Sequence, residues 1–304
     1  MPLSAALTLA AANAATAFAG FGVVMPFLPP APPPPPADRI RVDAKIANSI
    51  RSLQPIRLID THDQAVAITF DACATRTHHA SFDRRVFDIL KKEQIPATIF
   101  VSGKWVEAHP EVMTELAADP LVEFGDHSYE HPHMSNLPVA RIVEEIDQTE
   151  AALAKYGKRS VAFRPPFGEW SSRLVYVVQS LQLPTVTWDV VSGDPSANTT
   201  TAGMIRTVLG GARAGSIIIF HINGRGHKTA EALPTIIQGL RERGFRFLQL
   251  SELMATSRGG PARVAPIPLA PLAPAEAPPA SPAAPLGAAT TPTAPLPASP
   301  PVPE

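Results

Sequence analysis

The chain has 304 residues, which is enough for one large domain or two small ones. Its 26 lysines and arginines nearly balance its 27 aspartates and glutamates, and the formal net charge of -1 gives no reason to expect nucleic acid as a partner. The single cysteine, Cys73, excludes an internal disulfide framework and leaves the cellular compartment open.

The 35 prolines are concentrated outside the central part of the chain. One cluster spans 29–36, and a second segment begins at Pro261, where proline and alanine dominate up to the C-terminus. Such segments form extended spacers or stay disordered, because they cannot bury enough apolar surface to fold. The sequence therefore predicts a Pro-rich linker and lead-in over 29–60, one folded domain over 61–256, and a disordered Pro/Ala-rich tail over 257–304.

The first 28 residues carry no charged side chain and are rich in alanine and large apolar residues. This pattern is typical of a signal peptide or a membrane anchor, and Ala17-Phe18-Ala19 offers a small-x-small cleavage site. The first basic residue is Arg39, so the basic region of an ordinary signal peptide is missing, and an Ala-rich disordered leader is the alternative. We favour export to the periplasm or cell envelope, with this segment as a candidate membrane tether.

In the central part, short apolar runs alternate with segments of helical periodicity. The β-branched apolar runs predict strands, and the periodic segments predict helices. In chain order the predicted elements are a strand at 65–70, a helix at 81–92, a strand at 97–102, a helix around Val112 and Leu116, a strand at 121–124, a helix at 139–156, a strand at 160–163, a helix from Ser171 or Ser172, a strand at 184–188, a helix at 201–212, a strand at 216–220, a helix at 229–243 and a strand at 245–250.

Continuous apolar strands between helices favour a parallel sheet that is covered on its outside. That means either a barrel or an open doubly wound sheet. Five polar residues lie at or just beyond predicted strand ends: Asp71, His127, Arg164, Asp194 and His221. They favour the barrel, because all its strand ends share one mouth, whereas an open sheet gathers only those near its switch point. We therefore predict an α/β fold, a distorted (β/α) barrel of about seven parallel strands.

Several of these side chains suit a hydrolytic site. His127 and His131 are four residues apart, a spacing that lets two imidazoles converge on one metal ion, although a solvated His-rich loop is the alternative. Asp71 could act as general base, and His221 with the carboxylate of Asp194 could act as general acid.

Arg164 lies in a loop stiffened by prolines and could pair with a carboxylate, keeping it ionised. Each residue also has an ordinary structural explanation: an interior salt bridge for Arg164, a capped loop for Asp194 and a core histidine for His221. Together, however, a metal, a base and an acid around one mouth suit the hydrolysis of an amide or an ester.

Five motifs, in this order, resemble those of the polysaccharide deacetylases, carbohydrate esterase family 4. They are Thr69-Phe70-Asp71, His127-Ser128-x-x-His131, Arg164-Pro165-Pro166-Phe167, the segment from Trp188 to Asp194, and Phe220-His221. The resemblance covers about residues 64–254, including a closing helix and strand between Thr229 and Leu253, and it excludes both termini.

The resemblance implies a distorted barrel and a metal-dependent deacetylase that removes N- or O-acetyl groups from a glycan. Peptidoglycan or another amino-sugar polymer is the expected substrate. By motif, Asp71 would be the base, steadied by Arg164, and His221 would be the acid, tuned by Asp194.

His127 and His131 would hold a divalent metal, with zinc expected, but the first motif departs from the family. The family has two consecutive aspartates there, the second a metal ligand, followed by glycine. This chain has Asp71, Ala72 and Cys73 instead, as in a sub-branch with Asp-Ala-Cys. Because alanine has no ligating atom, the metal must lose a ligand, take a water, recruit another side chain or be absent. The candidate replacements are Asp71, Asp126 and Cys73.

A Cys73 thiolate suits a metal chemically, with a small buried thiol as the alternative. Asp126 is disfavoured, because it is adjacent to His127 and neighbouring side chains seldom converge. Val191 and Pro195 also depart from the family, which often has aspartate and tryptophan there, and this leaves the shape of the sugar-binding wall open.

Two other functions remain compatible with the sequence. Ala72 would suit a metal-free, non-enzymatic glycan-binding module on the same fold. An amidohydrolase that acts on a small cyclic or linear amide would share the chemistry of the site.

Overall fold

The computed structural model describes residues 53–75 and 80–260. The predicted leader at 1–28, most of the linker at 29–60, and the tail after residue 260 lie outside these residues. None of the helices within the described ranges is long and apolar enough to cross a membrane.

Six parallel strands form one sheet in the described part of the chain. They are β1 (Ala65–Ala72), β2 (Ala97–Val101), β3 (Val122–Asp126), β4 (Val190–Val191), β5 (Ile217–His221) and β6 (Arg246–Phe247). Their order is β3-β2-β1-β5-β4, and β6 pairs with the start of β1. All eight residues of β1 are buried, because this strand has neighbours at both edges and layers on both faces.

Eight α-helices lie in the same described ranges. They are α1 (Arg84–Glu93), α2 (Gly103–Ala108), α3 (Pro110–Ala118), α4 (Val139–Ala154), α5 (Ser172–Ser180), α6 (Thr201–Gly211), α7 (Thr229–Glu242) and α8 (Leu250–Ala255). The helix predicted from residue 81 begins three residues later, at Arg84. The cap is Asp83, whose carboxylate accepts the N–H of Arg85, and Ser171 caps α5 in the same way.

The barrel is distorted where two predicted strands are reduced to single bridges. Phe163 bridges Asp126 at the end of β3 on one side and Thr185 on the other, and Val186 bridges Ile56. The prolines at 165, 166 and 184 flank these segments and have no N–H to donate, which limits the ladders. The predicted distorted (β/α) barrel is confirmed, with six regular strands in the described residues rather than about seven.

Alternation along β1 separates the core from the site. Val66, Ile68 and Phe70 belong to the apolar cluster under the helices, together with side chains of α1 and α7. The intervening residues face the other way, and the last of these is Asp71. The carboxyl end of the central strand therefore presents a carboxylate to the barrel mouth.

We expect Ile236→Ala in α7 to lower the free energy of unfolding by about 2–5 kcal/mol, because Ile236 is fully buried in this cluster and the change leaves a cavity. The neighbouring Thr235 is exposed, so Thr235→Ala should stay within about 0.5 kcal/mol of wild type. Urea denaturation measures both. Equal effects of the two substitutions would contradict this placement of α7.

Candidate active site

A pocket of about 250 Å³ opens at the carboxyl ends of the strands. The structure brings the six predicted residues together there. Five of them line the pocket, namely Asp71, His127, His131, Asp194 and His221. The sixth, Arg164, lies directly behind the wall and donates to Asp71. Asp71 and His221 are register partners on the adjacent strands β1 and β5, so the base and acid candidates are neighbours on one face.

Asp71 is held by a buried ion pair. The Nη1 of Arg164 donates to its Oδ1 at 2.8 Å, and Nη2 donates to Thr69 Oγ1 at 2.9 Å. The guanidinium also lies over the Phe100 ring, 3.8 Å from its centroid. Burial pushes the pKa of Asp71 up, but His127 and the Arg164 guanidinium more than offset burial, so the pKa of this carboxyl is lowered. Asp71 is therefore ionised.

His127 has a defined tautomer. Its Nδ1 lies 2.8 Å from the carbonyl oxygen of Arg164, which only accepts, so Nδ1 carries the proton and donates it. The unprotonated Nε2 then lies 3.4 Å from Asp71 Oδ2. The lone pair of Nε2 and the negative oxygen of Asp71 repel each other, and a cation near both atoms would stabilise them.

His131 completes the pair, with its ring centroid 4.8 Å from that of His127. Burial lowers the pKa of His127, and burial with the nearby His127 lowers the pKa of His131 to about 3. Both imidazoles are therefore neutral near pH 7, which is the form that binds a metal.

The two histidines lie on a tight loop, not on a helix. Ser128 and His131 adopt positive φ values of 63° and 57°, which cost non-glycine residues roughly 1–3 kcal/mol each. The buried carboxylate of Glu145 offsets this strain by accepting the N–H groups of Tyr129 and Glu130, each at 2.8 Å. Ser128 Oγ also accepts the N–H of His131. The loop is thus fixed in the shape that brings the rings together.

Cys73 joins the histidine pair. Ligand atoms of Cys73, His127 and His131 all lie within 4.8 Å of one another, and the three side chains are buried. Burial raises the pKa of the Cys73 thiol to about 11, so it is protonated unless a cation displaces its proton. Two neutral imidazoles and one thiol form a donor set that fits a zinc-like ion.

Asp126 does not belong to this group. Its Oδ1 accepts the N–H of Ser128 at 2.7 Å, and burial raises the pKa of this carboxyl well above its ordinary value. It caps the loop, and its side chain lies outside the group formed by Cys73, His127 and His131.

His221 is paired with Asp194. The imidazole Nδ1 lies 2.8 Å from Asp194 Oδ1, and Asp194 Oδ2 accepts the backbone N–H of His221 and the hydroxyl of Thr229. Burial lowers the pKa of His221, but the hydrogen bond and charge of Asp194 more than offset burial, so the pKa is raised. His221 therefore holds its proton to a higher pH than an ordinary histidine.

The rim of the pocket includes residues for which the sequence predicted no catalytic or metal-binding role. Phe167 and Val191 are each 50% exposed there, and Trp188 and Arg225 also line the pocket. The Phe167 ring stacks on His133 at 4.2 Å between centroids, so His133, which had no predicted role, supports the rim. Phe167, Trp188 and Val191 had a signal in the sequence, because each lies in a segment that resembles a family motif, whereas Arg225 had none.

We predict that Asp194→Asn lowers the pKa of His221, because it removes the negative charge that favours the imidazolium. An NMR titration of the histidine resonances measures the change. Asp88→Asn, at an exposed position of α1, should leave that titration unchanged. An unaltered or higher pKa in Asp194→Asn would contradict the pairing.

This chain is similar to known proteins of one family. The family model described as polysaccharide deacetylase matches residues 59–186. A peptidoglycan-N-acetylglucosamine deacetylase of Bacillus cereus is 30% identical over 203 residues, which are 64% of this chain and 69% of that protein. The uncharacterized protein YlxY of Bacillus subtilis is 31% identical, and the match covers 57% of this chain but only 53% of that protein.

An esterase and a pseudoenzyme are among the solved structures that are similar to this chain. A family 4 acetyl xylan esterase from Clostridium thermocellum, in complex with a cobalt ion, is 30% identical with a TM-score of 0.58, covering 68% of this chain and 100% of that one. A pseudoenzyme of carbohydrate esterase family 4 from Bacillus anthracis is 26% identical with a TM-score of 0.60, covering 68% and 71%. The chain belongs to the polysaccharide deacetylase family.

Proposed function

We propose that this chain is a metal-dependent hydrolase that removes acetyl groups from N- or O-acetylated glycans of the cell envelope. One observation carries the proposal: two titratable side chains, each with its own buried partner, flank a buried metal-type donor set in one pocket. Arg164 keeps Asp71 ionised, and Asp194 keeps His221 protonated. An ionised base and a protonated acid around one bond are what hydrolysis of an amide or ester requires.

Asp71 accepts the proton of the attacking water, and Arg164 holds its carboxylate in place throughout. His221 donates a proton to the departing amine or alkoxide, which leaves poorly without one. The hydrogen bond to Asp194 fixes the imidazole so that Nδ1 faces Asp194 and Nε2 is left to transfer the proton. Each step therefore uses a group whose charge state is set by its surroundings.

His127, His131 and a further donor would hold the metal, which we propose to be zinc. A divalent metal there would polarise the acetyl carbonyl and acidify the attacking water. The protein fixes the ligands in advance, because the Arg164 carbonyl sets the tautomer of His127 and Glu145 shapes the loop of His131.

The substrate class rests on the relatives and on the rim. The Bacillus cereus relative is named for peptidoglycan, and this supports an amino-sugar polymer of the cell wall as the substrate here. Exposed Phe167 and half-buried Trp188 offer apolar surface against which a sugar ring packs. An envelope substrate requires export, and we propose that the apolar segment at 1–28 directs it, as a signal peptide or as a tether.

We expect the protein to release acetate from N-acetylated chitooligosaccharides or peptidoglycan and to stop when a chelator removes its metal. Asp71→Asn should lower the rate by roughly 10²- to 10⁴-fold, because it removes the base. An acetate assay alongside thermal unfolding separates lost chemistry from lost folding.

His221→Asn is the second variant, because it leaves the buried pair of Asp71 and Arg164 intact and should show a similar loss. Asp88→Asn is the matched control and should keep wild-type activity. Metal-replete protein that releases no acetate from N-acetylated glycans or acetylated xylan would refute the proposal.

A second candidate is a metal-free glycan-binding module. Ala72 has no ligating atom, and a pseudoenzyme of this family is among the similar structures. Metal analysis separates the two functions. We expect purified protein to contain about one equivalent of metal and His127→Ala to contain almost none. Wild-type protein that binds glycan but no zinc or cobalt would instead favour the binding module.

A further inference from the structure

We infer that the Cys73 thiolate is the third protein ligand of the metal, in the place left without a ligand by Ala72. This inference rests on the proposed metal-dependent function. It also assigns a soft sulfur donor, which gives the ion different neighbours from those of an all-carboxylate-and-imidazole site.

The side chains of Ala72 and Cys73 lie in different surroundings. Ala72 is fully buried in the apolar cluster under the helices, and its strand position pairs with Val101. Successive residues of a strand point to opposite faces, so Asp71 faces away from Ala72, and Cys73 directly follows the end of the strand. Both line the pocket, and Ala72 does not. The residue after the missing ligand is therefore the one whose side chain reaches the histidines.

The distances between the three side chains suit a shared metal ion. The ligand atoms of Cys73, His127 and His131 lie within 4.8 Å of one another. Ligands bound to one tetrahedral zinc ion at about 2.0–2.3 Å are roughly 3.3–3.6 Å apart. Closing the group around an ion needs side-chain movements of about 1 Å, which rotation about χ1 supplies without moving the backbone.

Asn223, which is buried just beyond β5, supports Cys73. Its Nδ2 donates to the Cys73 carbonyl at 2.8 Å and lies 3.2 Å from Cys73 Sγ. The carbonyl only accepts, so this end of the amide is the donor, and the same NH₂ group points at the sulfur. An N–H donor beside sulfur stabilises a thiolate, which is the usual arrangement around a metal ligand. Asn223 is thus a positioning residue for Cys73.

Asp71 is the competing third ligand. Its Oδ1 is taken by Arg164, whereas Oδ2 faces His127 at 3.4 Å. Ligation by Asp71 would tie up the carboxylate that serves as the base. Ligation by Cys73 leaves Asp71 free for that role, so the assignment of Cys73 as ligand is consistent with that of Asp71 as base.

Cobalt(II) titration of the reduced, metal-free protein tests the inference. A bound thiolate produces an intense near-ultraviolet charge-transfer band, and imidazole or carboxylate ligands do not. We expect the band to appear with one equivalent of cobalt. Cys73→Ser keeps the size of the side chain and an acceptor for Asn223, and it should lose the band and bind at least about tenfold more weakly. Asp88→Asn is the matched control and should match wild type.

Alkylation gives a second readout, because Cys73 is the only cysteine in the sequence. Bound zinc should slow its reaction with iodoacetamide, and His127→Ala, which loses a ligand, should show no such protection. Stoichiometric metal binding without a thiolate band, unchanged by Cys73→Ser, overturns the inference while leaving the deacetylase proposal intact. Failure of the wild-type protein to bind cobalt or zinc overturns both.

Discussion

Arg164 is the residue on which the rest of the site depends. Its side chain is fully buried and neutralises Asp71, while its backbone carbonyl accepts the Nδ1–H of His127. Its backbone N–H also donates to the carbonyl of Asp126 at the end of β3. One residue therefore fixes the charge of Asp71, the proposed base, the tautomer of His127, a proposed metal ligand, and the closure of the barrel beside them. A buried cation left without Asp71 would cost about 3–5 kcal/mol, so the pair also couples the site to folding.

The remaining side chains show how environment separates similar groups. Asp71 and Asp126 are both buried carboxyls, yet the pKa of the first is lowered by His127 and the Arg164 guanidinium, and that of the second is raised by burial. His131 and His221 diverge in the same way, because burial dominates for His131 and Asp194 dominates for His221. Aspartate and histidine thus supply the loop cap and the proposed base, metal ligand and acid, because the surroundings of each side chain differ.

Much of this arrangement was predictable from sequence. Residues at the ends of apolar strands in a parallel barrel must meet at one mouth, and this logic placed Asp71, His127 and His221 correctly. The regular strands and long helices were predictable for the same reason, since their periodicity reflects burial. Segments 160–163 and 184–188 read as strands but form only bridges, because flanking prolines limit pairing, which composition alone does not reveal.

Side-chain direction at the departures from the family pattern was beyond the sequence. The order Asp71, Ala72, Cys73 does not say which side chain faces the pocket. In the structure Asp71 and Cys73 line the pocket, and Ala72 packs in the apolar core. Val191 and Arg225 also line the pocket, and tertiary contacts that the sequence does not show bring them there.

We propose a metal centre in which the Cys73 thiolate and the imidazoles of His127 and His131 bind the ion beside the ionised Asp71. X-ray absorption spectroscopy at the zinc edge of the zinc-loaded protein tests it most directly. We expect one sulfur ligand at about 2.3 Å from the zinc and two imidazole nitrogens at about 2.0 Å. A zinc shell of nitrogen and oxygen alone would contradict it.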